Sequence, residues 1–182
     1  MTEEENQVMT ADDVAAAQFQ IQKLYSKDVS FESPNAPQIF KDAGQADVKM
    51  SLAQRVDDLG EDLQEVILTV TVTATIDDKT AYLAEVAQAG IFMISGFNEK
   101  AAHAVLNTLC PSTLFPYARR AISDLVSDGG FPPLTLQPVN FEQLYGQRMQ
   151  EMAQQQAGAE PGAADVDPGN DEVVDAEFPA EK

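Results

Sequence analysis

Apolar and polar side chains alternate with period two along Val66, Leu68, Val70, Val72, Ala74 and Ile76, with Thr69, Thr71, Thr73 and Thr75 between them. Successive side chains of a strand point to opposite faces, so this run predicts one sheet face for the core and a second face lined by threonine. Three further runs read the same way. Phe19, Ile21, Tyr25, Val29 and Phe31 fall on odd positions against Gln20, Gln22, Ser26, Asp28, Ser30 and Glu32. Asp28 and Glu32 are therefore expected on the face turned away from the core. Ser33-Pro34-Asn35-Ala36-Pro37 ends that strand, because proline cannot donate to a ladder. Val48, Met50, Leu52 and Val56 alternate with Asp47, Lys49, Ser51, Arg55 and Asp57, and the chain turns at Gly60 and its acidic neighbours. The fourth strand is expected from Thr80 to Ile94, broken at Gly90.

The loop around Asp77-Asp78-Lys79 decides which way the fourth strand faces. A two-residue loop would pair Val72 with Leu83; a three-residue loop pairs Ala74 with Tyr82, Val72 with Ala84 and Val70 with Val86. The second register brings apolar residues together and is the one predicted. It sends Leu83 and Glu85 to the threonine face.

Helical spacing takes over after Asn98, an N-cap for a helix whose stripe is Ala102, Val105, Leu106 and Leu109. Pro111 interrupts it. Leu114, Ala118, Ile122 and Leu125 resume the spacing up to Gly129-Gly130, with Pro116 expected to mark a kink or a restart. Phe131 to Pro138 reads as an extended apolar crossing. Asn140 then caps a last helix, with Gln143 placed for a capping box and Phe141, Leu144, Tyr145, Met149 and Met152 along one side. Strands first and helices after predict an α+β fold, a four-stranded antiparallel sheet followed by helices.

Charge divides the chain into three. Residues 1–17 hold five acidic groups and no basic one, and residues 157–182 hold eight acidic groups and one lysine. Both are expected to be disordered acidic tails, the second because its prolines, glycines and acids leave little apolar surface to bury. Residues 18–156 form the expected domain. With 11 basic against 30 acidic residues and a net charge of −19, the chain is a poor candidate for nucleic acid or an anionic membrane surface. A basic partner and a merely solvated acidic surface both fit. The single cysteine, Cys110, allows no intrachain disulfide. An acidic start with no apolar run behind it is unlike a signal peptide. A cytoplasmic location is the expectation that remains.

Catalytic motifs are missing. The one histidine, His103, sits between alanines with no nucleophile motif, and reads as a structural or interface residue. No CxxC, HExxH or phosphate-binding glycine loop occurs. Asp57-Asp58 and Asp77-Asp78 could chelate a cation, but adjacent acids in turns are commonly just solvated.

The run from Phe19 through Lys27-Asp28-Val29-Ser30-Phe31-Glu32 to Pro37 resembles the opening of the SecB family of bacterial protein-export chaperones. The likeness continues, in order, through Val70-Thr71-Val72-Thr73-Ala74, Gly90-Ile91-Phe92, Cys110-Pro111, Leu114-Phe115-Pro116-Tyr117-Ala118-Arg119 and Pro138-Val139-Asn140-Phe141. It implies a holdase, not an enzyme, that needs no cofactor. Such a protein binds unfolded secretory preproteins in the cytoplasm and delivers them to the SecA ATPase. It also implies a homotetramer built as a dimer of dimers, which would cover the apolar stripe of the first helix. SecA binding is implied for Asp28, Glu32, Leu83 and Glu85. Client grooves are implied along the crossing segment and the last helix, with Phe131, Leu134, Leu136, Phe141 and Tyr145 as lining candidates and Tyr82 beside them. The family often has a tryptophan shortly after the Ala-Pro turn, where this chain reads Asp42-Ala43-Gly44-Gln45. A SecB-like adaptor serving another system, such as a toxin–antitoxin module, is the alternative reading.

Overall fold

The computed structural model describes residues 17–42, 44–158 and 172–179. Four long strands run antiparallel: β1 (Gln18–Glu32), β2 (Asp47–Gly60), β3 (Leu63–Ile76) and β4 (Lys79–Ser95). Helices α1 (Glu99–Asn107), α2 (Leu109–Asp128) and α3 (Phe141–Gly158) follow, and a last strand, β5, covers Glu172–Pro179. The sheet order is β1-β4-β3-β2-β5. The α+β architecture expected from the sequence is the one observed, extended by one strand.

Helix α2 lies over β3 and β4. Its Leu114, Ala118, Ile122 and Val126 are fully buried against Val66, Val70, Val72, Ala74, Ala84 and Val86 of the sheet. Each such Val, Leu or Ile is worth about 1.5–3 kcal/mol relative to exposure, so this layer holds the fold together. Gly129 ends α2 where a Cβ would stand 2.2 Å from the Phe31 ring, which only a glycine permits. Pro116 lies within a continuous α2, so of the expected kink or restart the restart does not occur there. Pro111 instead falls in the first turn of that helix, where a missing N–H costs nothing, and the break is at Thr108. Asn98 and Asn140 cap as expected, their Oδ1 atoms accepting from the backbone N–H of Ala101 and Gln143.

Ala74 stands opposite Tyr82, Val72 opposite Ala84 and Val70 opposite Val86, the register predicted. The device differs. Asp77 and Asp78, both at positive φ, form a two-residue turn, and an irregularity at Ala81 supplies the extra residue. Gly90 does not break β4: a Cβ there would meet Phe92 at 2.7 Å and Leu24 at 2.9 Å, so glycine keeps the strand continuous under two packed side chains.

Two expectations need correction. Bulges at Gln22 and Lys27 shift the alternation of β1 by one residue and then shift it back. Leu24 and Ser26 therefore take the core-face positions between Ile21 and Val29, and Tyr25 moves to the outer face. The second correction concerns the acidic C-terminal tail. Glu172–Pro179 pairs antiparallel with β2, Met50 opposite Phe178 and Leu52 opposite Val174. Helix α3 also runs two residues past the expected domain end at 156. The expected N-terminal tail, Ala17 apart, lies outside the described residues, as do 159–171 and 180–182.

Candidate functional site

The outer face of the sheet gathers the four acidic-face candidates. Glu32 stands opposite Leu83, Ser30 opposite Glu85, and Asp28 opposite Ala87, with Thr73, Thr71 and Thr69 next in each row. Asp28, Glu32, Leu83 and Glu85 thus occupy three successive rows of one face, within reach of one another across strands. Asp28 and Glu32 are exposed, Leu83 and Glu85 half-buried. Thr71 Oγ1 donates to Glu85 at 2.7 Å and fixes that carboxylate.

The same face changes character farther along. Glu65 is 7 % exposed, yet Lys27 Nζ contacts both its oxygens at 2.8 Å and the Tyr25 hydroxyl donates to it. Burial alone would raise the Glu65 carboxyl. Hydrogen bonds from Lys27 and Tyr25, with the positive charges of Lys27 and Arg55, together hold it below the ordinary carboxylate range. The hydrogen bond to Glu65, aided by burial, pushes the Tyr25 hydroxyl up to about 12. This end is an internally paired polar cluster, whereas Asp28 and Glu32 at the other end are exposed.

Opposite, on the core side, an open groove of about 470 Å³ lies beside the sheet end where β3 turns into β4. Tyr82, Phe131 and Leu134 line it, joined by Phe40, Ile39, Val48 and Ile76. Phe131 is the hub: its ring centroid lies 4.8 Å from Tyr82, 5.1 Å from Phe40 and 6.4 Å from Phe31. Phe40 is 52 % exposed. Sequence reasoning missed it because it sits in a 3-10 turn (Gln38–Lys41) without periodicity; an aromatic stranded after a proline turn was the available signal. Asp42, Gly44 and Ala46 also border this groove, so the stretch lacking the family's tryptophan forms part of its wall.

The remaining groove candidates separate from this one. Phe141 and Tyr145 line a narrow cleft between α3 and β2–β3, with Leu52, Leu68 and Leu144. The Tyr145 hydroxyl lies 2.9 Å from Nδ1 of His103, which is exposed. Leu136 is buried in the core and lines neither cleft. The candidates of the crossing segment and those of the last helix thus line two separate apolar clefts.

Other candidate chemistry is accounted for locally. Burial raises the Cys110 thiol to about 12, which suppresses the thiolate at neutral pH. Asp57 accepts from Arg55 at 2.7 Å, Asp58 accepts from the Gly60 N–H at 2.8 Å, and Asp77 and Asp78 are turn residues. Among the described residues no three His, Cys, Asp or Glu side chains converge as a metal site.

The family model described as "Preprotein translocase subunit SecB" matches residues 12–152. The chain is 56 % identical over 140 residues to a protein-export protein SecB of Methylococcus capsulatus, covering 77 % of this chain and 90 % of that one. It is 48 % identical over 158 residues to the protein-export protein SecB of Xanthomonas campestris pv. campestris, covering 87 % and 91 %. A SecB-like chaperone of Mycobacterium tuberculosis, solved with an antitoxin peptide, shares the fold at a TM-score of 0.57 and 22 % identity, over 71 % of this chain and 95 % of that one. The chain belongs to the SecB family.

Proposed function

We propose that this chain is the export chaperone its family membership implies: a cytoplasmic holdase for unfolded secretory preproteins that passes them to SecA. The observation that carries the reading is the open aromatic groove around Phe131, an apolar surface that a stable monomer has no reason to leave uncovered. Such a groove recognises exposed side chains and extended backbone, which folding hides. Clients are then selected by state. On the other side of the sheet, Asp28, Glu32, Leu83 and Glu85 form the docking surface for SecA, acids around one apolar contact. Tyr82 and Leu83 are chain neighbours on opposite faces, so client and SecA engage the protein without competing for the same atoms. Helix α1 buries none of its residues fully, and Leu109, which follows it, is 44 % exposed; assembly into a dimer of dimers covers that stripe. No helix among the described residues is long and apolar enough to cross a membrane.

The adaptor reading is the weaker one. The peptide-bound relative shares only the fold at 22 % identity, whereas the relatives at 48–56 % identity are named protein-export proteins. A refolding experiment tests the proposal. A slow-folding precursor diluted from denaturant into this protein should stay soluble in a complex, and the same precursor added after folding should not bind. Equal binding of both forms would remove the basis of the reading.

A further inference from the structure

The pairing of β5 has a consequence for the two apolar clefts. Strand β2 would otherwise be a sheet edge, and β5 covers it only from Lys49 to Gln54. One end of that stretch adjoins Val48, which borders the Phe131 groove; the other is Leu52, Ala53 and Gln54, which line the cleft beneath α3. The covered edge is therefore the track that joins both clefts. An extended polypeptide that used both would run along this edge, its backbone pairing with β2 and its apolar residues falling into the clefts.

The β5 ladder is also the shortest in the sheet. The β2–β3 pairing runs from Asp47 to Gly60, interrupted only at Leu59. The β2–β5 pairing is short and split, with Ser51 facing a bulge of Asp175, Ala176 and Glu177. A strand held by two short runs of backbone hydrogen bonds, each of small net worth in water, can be displaced. We propose that residues 172–179 are an internal stand-in for a client, occupying the β2 edge when the chaperone is empty and yielding it to an extended polypeptide. The proposal rests on the client-holding reading above. Self-pairing spares the empty protein an open edge, a template for unwanted strand pairing. Being covalently attached, the stand-in competes at any protein concentration.

Hydrogen exchange on the full chain and on a chain ending at Asp171 tests it, with reduced, carboxymethylated α-lactalbumin as the unfolded probe. In the free full chain, amides of 172–179 should be protected. In the truncated chain, those β2 amides between Lys49 and Gln54 that β3 does not accept should exchange at least tenfold faster, while β3 and β4 are unchanged. Adding the probe to the full chain should release protection in 172–179 and leave it in β2. The truncated chain should bind the probe about tenfold more tightly, an effect the size of one or two net hydrogen bonds. Val174→Pro in the full chain, which removes a donor without shortening the chain, should act in the same direction. Unprotected 172–179 amides in the free chain, or equal probe affinity of both chains, overturn the proposal. Failure of the probe to bind either chain sinks the holdase reading and the competition with it, while the exchange of the free chains still reports whether β5 pairs.

Discussion

Val72 and Thr73 are adjacent in β3 and live in different solvents. Val72 is fully buried under α2, in a layer where every neighbour is apolar. Thr73 is half-buried in an outer row with Leu83, beside carboxylates and hydroxyls that keep access to water. One face spends its surface on cohesion, and the other keeps it for contact. The contrast teaches that a sheet two residues thick in sequence can separate stability from recognition. Alternation alone does the separating, so the two sets of residues can change independently.

The largest expected effect breaks that division directly. Val72→Asp places a carboxylate in the dry layer with no partner, at a cost of at least about 4 kcal/mol, and should abolish cooperative unfolding. Thr73→Asp, one residue away, should cost only about 0.5 kcal/mol, chiefly through repulsion within the acidic face. Thermal melts of the two variants measure the difference. Similar losses at both positions would mean that the outer face is covered in the assembled protein.

How much of this was legible in the sequence depended on whether a residue kept its period. The β3–β4 register followed from apolar pairing, and the outward placement of Leu83 and Glu85 followed from the register. Asp28 and Glu32 survive on that face because the two bulges of β1 both precede Asp28 and cancel. Tyr25 lies between the bulges and was assigned to the wrong face; nothing in alternating residues announces an extra one. The groove was half legible. Phe131 and Leu134 declared themselves in an apolar crossing, but the division between their groove and the Phe141–Tyr145 cleft depends on where each segment packs, a tertiary matter. Phe40 and β5 escaped because each sits among prolines, glycines or acids whose composition argues for a loop.

Within the groove, Phe131→Ala should cost about 2 kcal/mol of client affinity, roughly thirtyfold, since truncating the ring that Tyr82 and Phe40 pack against removes a central anchor. SecA affinity should stay unchanged. Titrations of each partner against the variant check this, and parallel losses would show that the two faces are coupled.

On the other face, Asp28→Lys, Glu32→Lys or Glu85→Lys should each weaken SecA binding by about 1–3 kcal/mol, and by less where the charge lies on the rim. Leu83→Arg should act in the same direction by spoiling an apolar contact. The wild-type interaction should weaken as salt rises, because exposed charges are screened over roughly 8 Å at physiological ionic strength. Client holding should persist in all four variants. If they bind SecA normally, the docking surface lies elsewhere.

The smallest effect distinguishes the two ends of the outer face by pH. Glu65 titrates below its unfolded value of 4.5. Its contribution is therefore present above pH 4.5 and lost as pH falls through the lower folded value. Tyr25 is shifted the other way, from 10.0 to about 12. The unfolded chain loses that proton first, so its contribution holds below pH 10 and disappears between 10 and 12. Lys27 is 39 % exposed on its side chain, so solvent screens the pair and each contribution should be modest, about 1 kcal/mol. Glu65→Gln should flatten the acid limb of a stability–pH profile and, by removing the carboxylate that holds the tyrosine proton, the alkaline limb too. Tyr25→Phe should reduce the alkaline limb by the share of Tyr25, leaving the shares of the buried Cys110 thiol and Tyr82, which burial also raises. Denaturant unfolding measured every half unit of pH resolves these cases. An alkaline limb left unchanged by Tyr25→Phe would mean that the polar cluster does not act as the geometry indicates.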